Sequence, residues 1–141
     1  MVEIVNRQRQ RKLSAKHWRE FGESALQAIG KDEENATIVF VSDSAIKALN
    51  RRFRGKNQST DVLSFPGAGE QFEIEHAAQL GEVIISVPRA VAQAKENGLS
   101  FADEVRQLIL HGLLHLCGYD HETDQGEMNR QELRLRKRLG I

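Results

Sequence analysis

Three of the chain's five histidines fall within eleven residues, in the segment His111-Gly112-Leu113-Leu114-His115-Leu116-Cys117-Gly118-Tyr119-Asp120-His121. His111 and His115 stand four apart, so on a helix their rings leave one face a single turn apart. Every other residue from Leu108 to Cys117 is apolar or Gly, which predicts a helix buried nearly all round with two imidazoles as its polar groups. Burying imidazole without a partner is costly, and two neighbouring rings resist being charged together. A metal ion answers both problems, because the neutral ring nitrogen is a preferred zinc ligand. Gly118 ends the helix and permits a sharp turn that returns His121 to the same point. Three His ligands leave a tetrahedral ion one open position for water, the mark of a catalytic site. Cys117, about 200° round the helix from His115, points away from the pair and reads as a small core hydrophobe. Asp120 stays open as a fourth ligand or as a partner behind the ligands. Zinc is the expected ion, one per chain, although three imidazoles also accept Ni, Cu or Fe. His17, beside Trp18 in an amphipathic stretch, and His76, in a polar loop, read as ordinary histidines, and Tyr119 as a packing residue.

Charge supplies a second feature. The formal net charge is +0, yet residues 1–19 carry six Lys/Arg against Glu3, residues 130–141 carry five against Glu132, and the stretch between is acidic by nine charges. Within that acidic middle lies Lys47, Arg51, Arg52, Arg54 and Lys56, with no acid between Ser44 and Thr60. A local basic patch can track phosphates even in a neutral chain. The plainer reading is a solvated helix end whose positive charge complements the helix dipole.

The elements that must carry these residues follow from periodicity and punctuation. Val2–Val5 reads as a short strand. Ser14 caps a helix running to Ile29, with Trp18, Phe21, Ala25, Leu26 and Ile29 on one face, and Gly30 closes it. Thr37–Val41 is a buried strand. Ser42 or Asp43 caps a helix whose apolar face is Ile46, Leu49 and Phe53, ended by Gly55. Asp61–Phe65 is a third strand closed by Pro66-Gly67, residues 68–79 form a long loop, and Glu82–Ser86 is a fourth strand. Pro88 suits the first turn of a helix to Asn97-Gly98, Ser100 caps one from Phe101 to Cys117, and Thr123 caps a last one carrying Met128, Leu135 and Leu139. These elements predict a mixed α/β (α+β) fold, a single domain over 1–141 with about four strands in a mixed sheet and about five helices. With 141 residues, 40% hydrophobic and 28% charged, the chain reads as a soluble globular domain able to bury its own core. No stretch approaches the roughly 18 apolar residues of a membrane span. A single cysteine and an N-terminus unlike a signal peptide point to a reducing, cytoplasmic setting.

The spacing H-x-x-x-H-x-x-G-x-x-H matches the zinc-peptidase pattern H-E-x-x-H-x-x-G-x-x-H except at the Glu that serves as general base, here Gly112. The metal helix is thus zincin-like, while the peptidase reading is weakened where its mechanism lives. With Arg54-Gly55-Lys56, Thr60-Asp61-Val62-Leu63-Ser64-Phe65-Pro66, Gly81-Glu82-Val83-Ile84-Ile85 and the HGLLHLCGYDH segment in order, nearly the whole chain closely resembles the YbeY family of bacterial single-domain endoribonucleases. Where that family often has Asp-Lys-Pro, this chain has Asn57-Gln58-Ser59, and the missing Pro predicts a less rigid turn. The resemblance implies that His111, His115 and His121 bind zinc and that Arg54 acts at the active site. It further implies a zinc-dependent, single-strand endoribonuclease in small-subunit ribosomal RNA maturation and ribosome quality control. Its expected partners are ribosomal RNA, the small subunit and associated assembly factors, in the cytoplasm and not at a membrane. The other classes are a metal-dependent hydrolase of peptides or small substrates, and a non-catalytic ribosome assembly factor with a structural zinc. Zinc-bound water and the RNA's own 2′-hydroxyl are both open as the nucleophile.

Overall fold

A computed structural model describes residues 1–67 and 79–141. The elements run β1 (Val2–Asn6), α1 (Ala15–Ile29), β2 (Asn35–Val41), α2 (Asp43–Arg54), β3 (Val62–Pro66), β4 (Gln79–Ser86), α3 (Val87–Asn97), α4 (Phe101–Leu116) and α5 (Glu127–Leu139). The sheet order is β1-β2-β4-β3. β1, β2 and β4 pair in parallel, whereas β3 returns antiparallel along β4 and forms an edge. The four-stranded mixed sheet with five helices is the α+β domain expected from the sequence. Of the loop expected over 68–79, residues 68–78, His76 among them, lie outside the described residues, and Gln79 instead opens β4.

Strand alternation divides the sheet between two apolar layers. Ile38, Phe40, Val83 and Ile85 face Trp18, Leu26, Ala90, Val105, Ile109 and Leu113 of α1, α3 and α4. Val39, Val41, Leu63 and Ile84 face the opposite way, against Ile46 of α2. A third cluster joins Leu110 and Leu114 of α4 to Met128 and Leu135 of α5. Helix α4 is therefore clad by the sheet on one flank and by α5 on another. That explains its continuous apolar sequence, and a third stripe is left for the two histidines.

Punctuation resolves the open choices. Ser42, not Asp43, caps α2, its Oγ accepting from the Ala45 N–H at 3.2 Å. The Asp43 carboxylate turns instead to the Ser59 hydroxyl and to the Ser86 hydroxyl, the latter at 3.0 Å. Asn50 Nδ2 donates to the Gln58 carbonyl at 2.9 Å. These side-chain bonds tie the 57–59 turn to α2 and β4, supplying restraint that a proline would otherwise give. Gly55 adopts φ 68°, ending α2 immediately after Arg54. Two expectations need correction. Helix α5 starts at Glu127, and Asp124 rather than Thr123 takes the orphan donors, from Gly126 at 2.9 Å and Met128 at 2.8 Å. Phe53, placed by periodicity on the buried face of α2, is 57% exposed, because the last turn of α2 reaches β3, the sheet edge, with no strand beyond it among the described residues.

Candidate metal centre and active site

Helix α4 delivers His111 and His115 from one stripe, with ring centroids 4.8 Å apart. Gly118 follows in the left-handed region at φ 97°, and its N–H bonds the His115 carbonyl at 3.0 Å. The chain reverses there, as a side chain at that φ would resist. His121 returns with its ring 5.5 Å from His111 and 5.4 Å from His115. One nitrogen from each of the three rings lies within 4.8 Å of the others, which suits three imidazoles converging on one ion with Zn–N bonds of about 2.0–2.1 Å. Asp120 does not join this group of ligand atoms; its carboxylate accepts from the Glu122 N–H at 3.0 Å and shapes the turn. Cys117 is half-buried on the side of Lys31 and Glu34, and burial pushes its thiol up. It stands apart, as the helical angle predicted.

The electrostatics favour a neutral ring at His115. Burial, followed by the neighbouring His111 and His121, holds His115 below the ordinary imidazole range. A ring that resists protonation keeps its lone pair for a cation.

Glu132 of α5 meets the histidines, a contact that local spacing does not bring out. It is buried, with its Oε1 2.7 Å from His111 Nδ1 and its Oε2 3.3 Å from Arg136 Nη2. Burial alone would raise this carboxyl, but the bond to His111 and the charges of His111 and Arg136 outweigh it and hold the group low. An ionised carboxylate accepts only, so Nδ1 of His111 carries the proton and Nε2 presents the lone pair. A trace of this role is present in the sequence. Met128, Glu132, Leu135 and Leu139 make one helical stripe, and an acid on an apolar stripe calls for a buried partner.

The histidines open onto a cleft of about 570 Å³ whose walls include Arg54, Thr60, Asp61, Ser64 and Tyr119. Arg54, at the end of α2, brings one residue of the basic cluster to the wall of this cleft, across from the histidines of α4. Gly112 is closely packed against the sheet. A Cβ there would lie 2.6 Å from Val83 Cγ1 and 3.2 Å from Ser64 Oγ, and Ser64 Oγ donates to its carbonyl at 3.3 Å. Close packing of α4 on β3 and β4 thus excludes a side chain where zinc peptidases carry their base. His17 lies apart from the cleft, exposed and edge-on to Trp18 with ring centroids 4.7 Å apart. Tyr119 packs against the α4–α5 cluster.

A parallel-stranded core, an antiparallel edge strand, and two helical histidines joined by a third from the following turn make an α+β fold with a candidate metal centre. The family model described as "Endoribonuclease YbeY" matches residues 3–140. An endoribonuclease YbeY of Nautilia profundicola is 45% identical over 109 residues, covering 77% of this chain and 75% of its own. One from Geobacter metallireducens is 37% identical over 141 residues, covering 99% and 94%. A solution structure of a Thermotoga maritima protein superposes with TM-score 0.66 at 27% identity, covering 99% of this chain and 89% of that one. The chain belongs to the Endoribonuclease YbeY family, a family of RNA-cleaving hydrolases. Among the described residues no helix is long and apolar enough to cross a membrane.

Proposed function

We propose that residues 1–141 form a single metal-dependent hydrolase domain, a zinc-dependent single-strand endoribonuclease of small-subunit ribosomal RNA maturation and ribosome quality control, working in the cytoplasm. Its partners are ribosomal RNA, the small subunit and the assembly factors bound there. The observation that carries this reading is the meeting of three convergent imidazoles and Arg54 in one open, polar cleft. His111 and His115, on one stripe of α4, and His121, brought back to them by the Gly118 turn, offer three imidazole nitrogens that fit a divalent ion. An ion held there supplies Lewis acidity, drawing charge from a phosphoryl oxygen and making bound water acidic near neutral pH.

The chain's own side chains do the rest. Glu132 keeps the proton on His111 Nδ1 and fixes the orientation of that ring. Arg54 holds a non-bridging oxygen of the scissile phosphate and offsets the charge that builds during attack. The Ser64 hydroxyl is committed to the Gly112 carbonyl and stiffens the wall beside the histidines. No general base stands at position 112, so the nucleophile's proton would pass to solvent or to another polar group of the cleft, its loss eased by the acidity that an ion held by the three histidines would supply. The reading is tested by offering metal-stripped and zinc-reconstituted protein to ribosomal RNA, free and within the small subunit, with end-group analysis of the fragments. Internal cleavage that returns with zinc is expected. A 2′,3′-cyclic end identifies the 2′-hydroxyl as nucleophile, a 5′-phosphate or 3′-phosphate formed directly identifies water, and an RNA left whole by the zinc-loaded protein in both settings contradicts the reading.

A further inference from the structure

Phe53 is the anomaly of helix α2. Periodicity puts it on the stripe of Ile46 and Leu49, yet it is 57% exposed at the sheet edge. It is nonetheless held. Its ring lies edge-on to Phe65 at 5.4 Å, and the Arg52 guanidinium sits 5.2 Å from its centroid. Phe65 itself packs into the layer beneath α2, so the pair is anchored on one side and open on the other.

The surroundings select what could meet that ring. Lys47, Arg51, Arg52, Arg54 and Lys56 are all exposed, which disfavours a cationic or apolar protein face and favours a polyanion. An aromatic ring among arginines is the arrangement that binds single-stranded nucleic acid, with bases stacking on rings and on guanidinium planes while the basic residues follow the backbone. Position along the chain adds direction. Arg54, the next residue, lines the three-histidine cleft. Ser64 of β3 faces that cleft and α4, whereas Phe65 faces α2, and β3 is the edge strand. A single strand passing over this edge meets the cleft on one face of β3 and the Phe53–Phe65 pair on the other.

We infer that Phe53, braced by Phe65 and flanked by Arg52, is a stacking platform for an unpaired base flanking the phosphate held at Arg54. This rests on the endoribonuclease reading and adds to it: the site selects single strands because a base must leave its own stack to reach the ring. The platform positions substrate and takes no part in bond breaking.

The experiment uses the full-length, zinc-loaded protein and a 12-nucleotide single-stranded RNA labelled at its 5′ end. Affinity is read by fluorescence anisotropy, and a gel checks that the RNA stays whole during the reading. A series of oligonucleotides carries one abasic nucleotide at each position in turn. Base–aromatic stacking of this kind is worth about 1–3 kcal/mol, or roughly 5- to 150-fold in affinity. F53L is expected to bind the intact RNA at least about fivefold more weakly than wild type. One abasic position should weaken wild type by a similar factor and leave F53L unchanged. F53W should bind as wild type does, with RNA quenching the added indole emission, because Trp18, at 3% exposure, gives a constant background. Equal affinity of F53L and wild type overturns the inference, and this is also the result expected if the ring seats a protein. A loss in F53L that no abasic position reproduces overturns it too. Should F53L fail to fold, a wild-type abasic series without a sensitive position, or an F53W emission blind to RNA, overturns the inference in its place. If wild type binds and cleaves RNA while these arms fail, only the platform is wrong; if wild type neither binds nor cleaves, the endoribonuclease reading falls with it.

Discussion

Glu132 gives the sharpest quantitative handle on the proposed metal centre, since it bonds His111 and does not line the cleft. Its 2.7 Å bond to His111 Nδ1 is charge-assisted and sits in a buried pocket shared with Arg136. Such a bond is worth about 1.5–3 kcal/mol, against about 0.5–1.5 for a neutral one. Glu132→Gln keeps an acceptor of the same shape and loses the charge, so metal binding should weaken by about 1–1.5 kcal/mol, close to tenfold. Glu132→Ala removes the bond altogether and frees the ring to turn, for which a loss of about 10- to 100-fold is expected. The alanine variant also strands the Arg136 guanidinium, costing a further 1–3 kcal/mol or so of stability, and the glutamine variant escapes most of that. Competition with a chromophoric chelator at fixed pH measures the affinities, and thermal melts with and without metal separate them from stability. Affinities of both variants within twofold of wild type would refute the idea that Glu132 sets the ligand geometry.

The remaining predictions concern the other walls of the cleft. Arg54→Ala should keep fold and zinc content and lose on the order of 10²–10³ in RNA cleavage, read under single-turnover conditions; unchanged turnover removes Arg54 from the mechanism. Gly112→Ala should lower the melting temperature through the 2.6 Å encounter with Val83 Cγ1, an overpacking cost of about 1–3 kcal/mol, and a melt equal to wild type would mean that α4 can shift. Metal-free protein should lose stability on acidification in two windows. His115 is depressed from 6.5 when folded, so the unfolded chain binds the extra proton first, and stability falls as pH drops below about 6.5 until the lowered value is passed. Glu132 is depressed from 4.5, so its contribution is present above that value and lost as pH falls through the folded one. Urea midpoints across pH 3–8 read both, and a flat profile from 7 down to 5 would contradict the first window.

Much of the site was legible because its parts are local. The i, i+4 pair and the glycine turn to His121 need one helix and one reversal, and every residue of that geometry lies within eleven positions. The strands were legible from β-branched runs, though not which of them pair in parallel, and most helix boundaries from Ser caps and following glycines. What escaped was decided across the fold. Glu132 looks like one acid in a basic helix until α5 packs on α4 and brings it to His111. Phe53 fits an apolar stripe, and its exposure follows from β3 being the edge, which the order β1-β2-β4-β3 settles and no local pattern does. The reason for Gly112 is likewise the closeness of Val83, some thirty positions earlier. The later start of the last helix, with Gly126 at its N-cap and Asp124 rather than Thr123 taking the free N–H groups, is a smaller matter, two competent side chains standing side by side.

Titration of metal-stripped protein with zinc, following cleavage of a single-stranded ribosomal RNA fragment beside the His115→Ala variant, tests the central claim most directly. Cleavage should climb with added metal and level off at one equivalent per chain, with the variant inactive and binding little zinc. Full cleavage by the stripped protein, or by His115→Ala, would contradict it.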